Sequence, residues 1–332
     1  MKAVKLKAVR SLAVETVPAP AAPQPGEVHI KVLAAGICGS DIHNYLTGQW
    51  LSGEPRVAGH EFCGTVLAVG AGVTTVAPGD RVVADSRFFC GECDHCRAGR
   101  QNVCRRLGFV GEVCDGGFAA ETVLPERLVL RIDPAIDPRA GAMTEPLAVA
   151  LHAIRRLGVP AGEPVLVAGC GTIGGLIAFC LSLQHQGPVL VADRNRDRAA
   201  LVAGLAGASA IELTPGALSS IGYVFEATGN LQLLERLVEN ARSGGGIALV
   251  GISHGRLALD PNLLVEKETA LIGCHAFASA DLVAAAALVS QHAPRLLGLI
   301  AGQYSLDAVP AAYQNILSQK SPGLKSIVLP HD

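Results

Sequence analysis

Pro164-Val165-Leu166-Val167-Ala168-Gly169-Cys170-Gly171-Thr172-Ile173-Gly174 is an apolar run delivered straight into three spaced glycines. The order is strand, glycine-rich turn, helix. In this G-x-G-x-x-G pattern Gly169 makes the tight turn, Gly171 admits a pyrophosphate close to the backbone, and Gly174 lets helix and strand pack closely, with Thr172 and Ile173 counted in the same cofactor-binding turn. Alone, such a motif is weak. Its context is specific: a second apolar segment, Val189-Leu190-Val191-Ala192, ends at Asp193, nineteen residues beyond Gly174, where an acid can accept hydrogen bonds from adenosine ribose hydroxyls. The expected cofactor is NAD. Arg194, Arg196 and Arg198 read either as a solvated turn or as partners for a 2′-phosphate, which keeps NADP as the alternative.

The alternation continues downstream. Tyr223 to Gly229 and Gly246 to Gly251 each read as a strand ending in glycine, with a helix from Leu231 to Ala241 between them. The pattern predicts an α/β fold with a doubly wound parallel sheet. Strands of such a sheet end at the ligand crevice, so Thr228, Gly251 and Ile252 either line the nicotinamide side or are ordinary turn residues. Beyond them we expect an Ala-rich helix from Ala280 to His292, a strand from Leu296 to Ile300, a helix from Val309 to Leu317, and a closing strand, Lys325 to Leu329, that returns to the first domain.

That first domain has a different grammar. Glu27-Val28-His29-Ile30-Lys31-Val32 alternates with period two, and Gly64 to Gly70 and Pro78 to Val83 repeat the strand-and-turn pattern. A compact, mostly antiparallel β domain with glycine-rich corners follows. Pro146 suits the first turn of a helix continuing through Leu147 to Ala153, which puts Glu145 just ahead of its N-terminus. A carboxylate there is favoured by the helix dipole and can also point into a cleft.

Two clusters in this domain carry chemistry. Cys90, Cys93, Cys96 and Cys104 have the spacing C-x2-C-x2-C-x7-C, which folds four thiolates around one tetrahedral centre and leaves no open position, the mark of a structural zinc site. An iron–sulfur cluster is the alternative occupant. The second is Gly36-Ile37-Cys38-Gly39-Ser40-Asp41-Ile42-His43, followed by Gly59-His60-Glu61. Cys38, His60 and Glu61 offer the thiolate, imidazole and carboxylate that a catalytic zinc takes while keeping one position open. Ser40 and His43 could carry a proton away from whatever the metal binds, or could be a turn hydroxyl and a satisfied surface histidine. The other cysteines, Cys63, Cys114, Cys170, Cys180 and Cys274, read as small apolar fillers.

Bulk properties narrow the class. The chain has 332 residues, half of them apolar and 17% charged, with mean hydropathy +0.38. Two domains with large cores are expected. A formal net charge of -2 leaves no electrostatic footprint for nucleic acid or anionic lipid. The opening Met1 to Lys7 alternates like a strand rather than a signal peptide, no long apolar run follows, and a cytoplasmic location is expected.

Taken together these motifs resemble the zinc-containing medium-chain alcohol dehydrogenase superfamily. Cys-Gly-Ser-Asp from Cys38 and Glu-Pro-Leu-Ala-Val from Glu145 look like its polyol branch, which includes sorbitol, xylitol and L-idonate 5-dehydrogenases. The resemblance implies a GroES-like catalytic domain over residues 1–149 and 283–332, its four-cysteine zinc lobe at about 86–108, and a Rossmann domain over 150–282. It implies one catalytic and one structural zinc, with Glu145 as a ligand or a close neighbour of the catalytic ion. It also implies a relay through Ser40 and His43, a polyol, sugar acid or diol as substrate, and a homodimer or homotetramer. Polyol members carry a Tyr immediately after the relay His, whereas this chain has Asn44 and then Tyr45. A substrate pocket around Tyr45, Trp50, Phe109 and His275 is expected.

Three rival readings are separable. A vicinal diol dehydrogenase of the butanediol type would share the whole site. A zinc-independent quinone or enone reductase would need no ligand set, and an NAD-sensing zinc module would transfer no hydride. Neither of the last two explains Ser40 and His43 beside the donors.

Overall fold

A computed structural model describes residues 1–51, 53–318 and 323–332. The chain forms two compact units, residues 1–145 with 278–332, and residues 146–277, divided a few residues earlier at each boundary than the resemblance implied. The first unit is discontinuous in the chain.

The first unit is built on a seven-stranded sheet. Its long strand Glu27–Gly36 is flanked by Glu61–Val69 on one side, and Glu121–Pro125 and Lys325–Val328 also pair with it, all antiparallel. Val28, Ile30 and Val32 alternate inward along it and are fully buried, the signature of a sheet with one face on a core. The register puts Gly36 opposite both Glu61 and Ile327. One end of these inner strands therefore gathers Gly36, Glu61 and the strand Lys325–Val328.

At that end Gly36 has a specific job. A Cβ there would run into the Glu61 carboxylate and the Lys325 side chain, so only glycine leaves room for them.

The second unit is a six-stranded, wholly parallel sheet. In spatial order its strands are Ser209–Ala210, Val189–Ala192, Val165–Ala168, Tyr223–Glu226, Gly246–Leu249 and Ala270–Gly273. In chain order that is 3-2-1-4-5-6, the doubly wound arrangement. The order reverses between Val165–Ala168 and Tyr223–Glu226, so the crevice lies at their carboxyl ends, beside Gly169 and Thr228.

Two local expectations need correction. Leu296 closes a helix, Ser279–Leu297, rather than opening a strand, and the strand is Ile300–Tyr304. Pro294 lies inside that helix and His292 leaves helical geometry at φ -127°, so the kink mimics a helix end in sequence. Glu145 sits within the first turn of the helix Thr144–Leu157, not ahead of it. Among the described residues no helix is long and apolar enough to cross a membrane.

Candidate active site and metal centre

Cys38 caps the short helix Gly39–Thr47, with Asp41 Oδ2 accepting the Cys38 backbone N–H at 2.8 Å. His60 and Glu61 stand at the start of the neighbouring strand. Strand register thus brings together donors about twenty residues apart in sequence. One donor atom each from Cys38, His60 and Glu61 lie within 4.8 Å of one another, and His60 and Glu61 are buried.

The surroundings hold these donors in place. His60 Nδ1 lies 3.6 Å from Asp41 Oδ1, and its Nε2 lies 3.4 Å from Ser40 Oγ. Lys325, 1% exposed, forms an ion pair with Glu61 Oε2 and donates to the Ile37 carbonyl at 3.0 Å. Glu145, also buried, accepts a hydrogen bond from Ser86 Oγ at 2.5 Å and stands outside the group of three. Burial, reinforced by the Glu61 carboxylate, pushes Glu145 up to about 7 against the opposing pull of His60, Ser86 and Lys325. Burial alone would pull His60 down, but Asp41, with Cys38 and Glu145, holds it well above its usual value.

This composition fits Zn²⁺. Sulfur, nitrogen and oxygen donors converge, and Asp41 and Glu145 crowd further negative charge around them, which a dication offsets.

His43 is buried, with Nε2 at 2.7 Å from Gln49 Oε1. Its ring lies 4.7 Å from that of Trp50. Tyr45 differs from expectation. Its ring packs edge-on against Tyr313 in the core, and its hydroxyl accepts from Gln314 at 3.1 Å, so it is spent on packing rather than on a pocket wall.

The four cysteines of the lobe also converge, with one sulfur from each inside 4.8 Å of the others. Backbone N–H groups of Glu92 and Cys93 draw the Cys90 thiol down to about 6, favouring the thiolate a metal needs. Exposed pairs Arg105–Asp94 and Arg106–Glu92 brace the lobe.

In the second unit Gly169 adopts φ +99° against Thr228, and a Cβ on Gly174 would strike the Gly169 carbonyl. A Cβ on Gly171 would meet nothing within 4 Å, so the space before the helix Thr172–Gln184 is open where Thr172 and Ile173 begin its first turn. That is room for a phosphate at a helix N-terminus, and the fit to a dinucleotide is good. Asp193 accepts from the Cys170 and Asn195 backbones at 2.8 Å each, with Arg198 Nη1 at 4.0 Å. Arg194 is exposed, as is Ile252 at 48%. Gly251 is fixed by close approach to the Gly229 backbone.

Sequence reading missed several residues. Lys325 and Ser86 touch the candidate ligands from distant positions. Glu226 is buried and accepts from the Thr228 and Gly229 N–H groups at 2.8 and 3.1 Å, which sets the turn beside Gly169. Glu112 is half-buried, and that burial pushes it up to about 7. Only Glu226, an acid closing an apolar strand, carried a local signal.

The comparisons agree with this architecture. Residues 24–134 match the alcohol dehydrogenase GroES-like domain. The chain is 35% identical to L-galactonate-5-dehydrogenase of Escherichia coli over 76% of its own length and 77% of the relative's. It is 30% identical to sorbitol dehydrogenase of Halalkalibacterium halodurans over 93% and 94%. Galactitol-1-phosphate dehydrogenase from Escherichia coli superposes with a TM-score of 0.91 at 28% identity, covering 99% of this chain and 100% of that one. The chain belongs to the zinc-containing medium-chain alcohol dehydrogenase superfamily.

Proposed function

We propose that this enzyme oxidises a secondary hydroxyl of a polyol or sugar acid, of the L-idonate, sorbitol or xylitol type, to a ketone, with the hydride passing to NAD. The observation that carries the reading is the convergence of Cys38, His60 and Glu61 donors within 4.8 Å. These three would hold the catalytic ion, with Glu145 beside them, and Cys90, Cys93, Cys96 and Cys104 would hold the structural one. A zinc ion held there would make the substrate hydroxyl more acidic, and a nicotinamide cofactor would accept the hydride.

The protein's own residues do the rest. Asp41 fixes the His60 ring, and Lys325 fixes Glu61. Ser40 Oγ takes the substrate's hydroxyl proton and hands it towards His43, whose ring Gln49 Oε1 holds in place through Nε2. Gly169, Gly171, Thr172, Ile173 and Gly174 would hold the pyrophosphate at the helix N-terminus, Asp193 would accept hydrogen bonds from the ribose hydroxyls, and Thr228, Gly251 and Ile252 would lie on the nicotinamide side. An acid at Asp193 disfavours a 2′-phosphate, which supports NAD over NADP. Arg194 and Arg198 are the groups that would pair with that phosphate.

The strand Ala270–Gly273 ends the parallel sheet and presents an unpaired edge through Leu271 and Ile272, which supports assembly as a homodimer or homotetramer. Ten free thiols suit a reducing cytoplasm.

The test is a panel of polyols, aldonates and vicinal diols assayed with NAD and NADP alongside zinc content. Two zinc ions per chain with NAD-linked oxidation of a polyol or sugar acid supports the reading. Turnover confined to simple vicinal diols moves it to the butanediol type, and turnover that survives loss of the metal at Cys38 ends it.

A further inference from the structure

Two buried carboxylates, Glu61 within the group of three donors and Glu145 just outside it, are each held by a different partner. Glu61 is paired with the buried Lys325, whereas Glu145 is held by a neutral hydroxyl, Ser86 Oγ, at 2.5 Å. We propose that Ser86 is a positioning residue that keeps Glu145 off the metal, so that Glu61 completes a three-residue ligand set and the fourth position stays open for substrate. This rests on the metal reading given above.

The geometry carries it. Ser86 is fully buried, and its carbonyl accepts from Val110 N–H at 2.9 Å. Asp85 N–H bonds the Leu128 carbonyl at 2.8 Å. On the other flank Arg87, with no exposed surface, grips Asp85 through Nε and Nη2 at 2.9 and 2.6 Å and donates to Ser279 Oγ at 3.1 Å. The Ser86 hydroxyl is therefore presented from a clamped backbone and has little freedom to follow Glu145 elsewhere. With that hydroxyl removed, the buried Glu145 oxygen loses its donor, which is costly. The metal beside Glu61 is the strongest replacement partner. Four protein ligands would then saturate a tetrahedral ion, turning an open centre into a closed one.

The experiment is made on holoenzyme in which the metal at Cys38 has been exchanged for cobalt(II). Imidazole serves as a probe of the open position, and release of zinc from the native protein to 1,10-phenanthroline serves as a second readout. Wild type should change its visible spectrum when imidazole is added. Ser86→Ala should lose that response and release its zinc about tenfold more slowly, the scale of effects seen for groups behind metal ligands. Ser86→Thr, which keeps the hydroxyl, should behave as wild type, and adding Glu145→Gln to Ser86→Ala should restore the response to imidazole.

A Ser86→Ala protein that responds to imidazole and releases zinc like wild type overturns the proposal, as does a Ser86→Thr protein that matches Ser86→Ala. Metal found only on the Cys90 lobe of wild type overturns the metal reading and this proposal together. The two failures are therefore distinguishable.

Discussion

Replacing Lys325 with Met should destabilise the protein and tighten its grip on metal at the same time. Lys325 and Glu61 are each about 1% exposed and form one ion pair, so removing the ammonium leaves a carboxylate buried without its cation. Breaking a buried pair from one side costs about 3–5 kcal/mol. The Met side chain keeps most of the Lys stem's packing, so the volume change should contribute less than about 1.5 kcal/mol. In a Glu61→Gln background the same substitution should instead be neutral or stabilising, because there it removes an ammonium already stranded by the loss of its carboxylate. Zinc is the other cation available to Glu61, so saturating zinc should recover part of the loss in Lys325→Met. Its zinc should also be removed more slowly by chelator than that of wild type. Urea unfolding of the four proteins of the cycle, with and without zinc, measures both effects. An equal cost of Lys325→Met in the wild-type and Glu61→Gln backgrounds would refute the electrostatic argument and leave only packing.

Three further outcomes are expected. Glu112 is pushed from its ordinary value near 4.5 up to about 7, so its contribution to stability is present below about 4.5 and lost as pH rises through 7. Glu112→Gln should flatten that decline, by on the order of 2 kcal/mol between pH 4.5 and 8 in urea titrations, and an unchanged slope would dismiss it. Asp193→Ala should raise the KM for NAD by about 10–100-fold, through loss of charge-assisted hydrogen bonds worth about 1.5–3 kcal/mol, and narrow the preference over NADP; an unaltered ratio would remove Asp193 from the ribose site. Ser40→Ala should lower kcat by about 100-fold and shift its pH profile, the scale of a lost proton-transfer group, whereas turnover and profile matching wild type would end the relay.

The parts legible in sequence were those whose partners are near in the chain or repeated by periodicity. Cysteine spacing alone placed the sulfurs of Cys90 to Cys104 on one lobe. The run from Val165 to Gly174 was enough to specify strand, turn and helix, since each glycine answers a local steric demand. Cys38, His60 and Glu61 were found as donor types, and their meeting depends on a register between two adjacent strands. Lys325 could not be found that way, because it meets Glu61 across 264 residues, through two strands that each pair with Glu27–Gly36. Ser86 was hidden for a related reason, as its hydroxyl meets Glu145 across 59 residues from an otherwise ordinary loop. Tyr45 was misplaced because an aromatic beside a polar motif looks the same whether it faces a cavity or, as here, Tyr313.

The insertion of the strand Lys325–Val328 beside Glu27–Gly36 has a consequence for biosynthesis. The second unit is continuous and can close as soon as it leaves the ribosome, whereas the sheet of the first unit waits, one side of Glu27–Gly36 incompletely paired, until Lys325–Val328 has been translated. During that interval the exposed edge is open to rival strands and to chaperones. A tag or a shortened end that delays the last strand should reduce the yield of folded protein even where no residue of the reaction centre is altered.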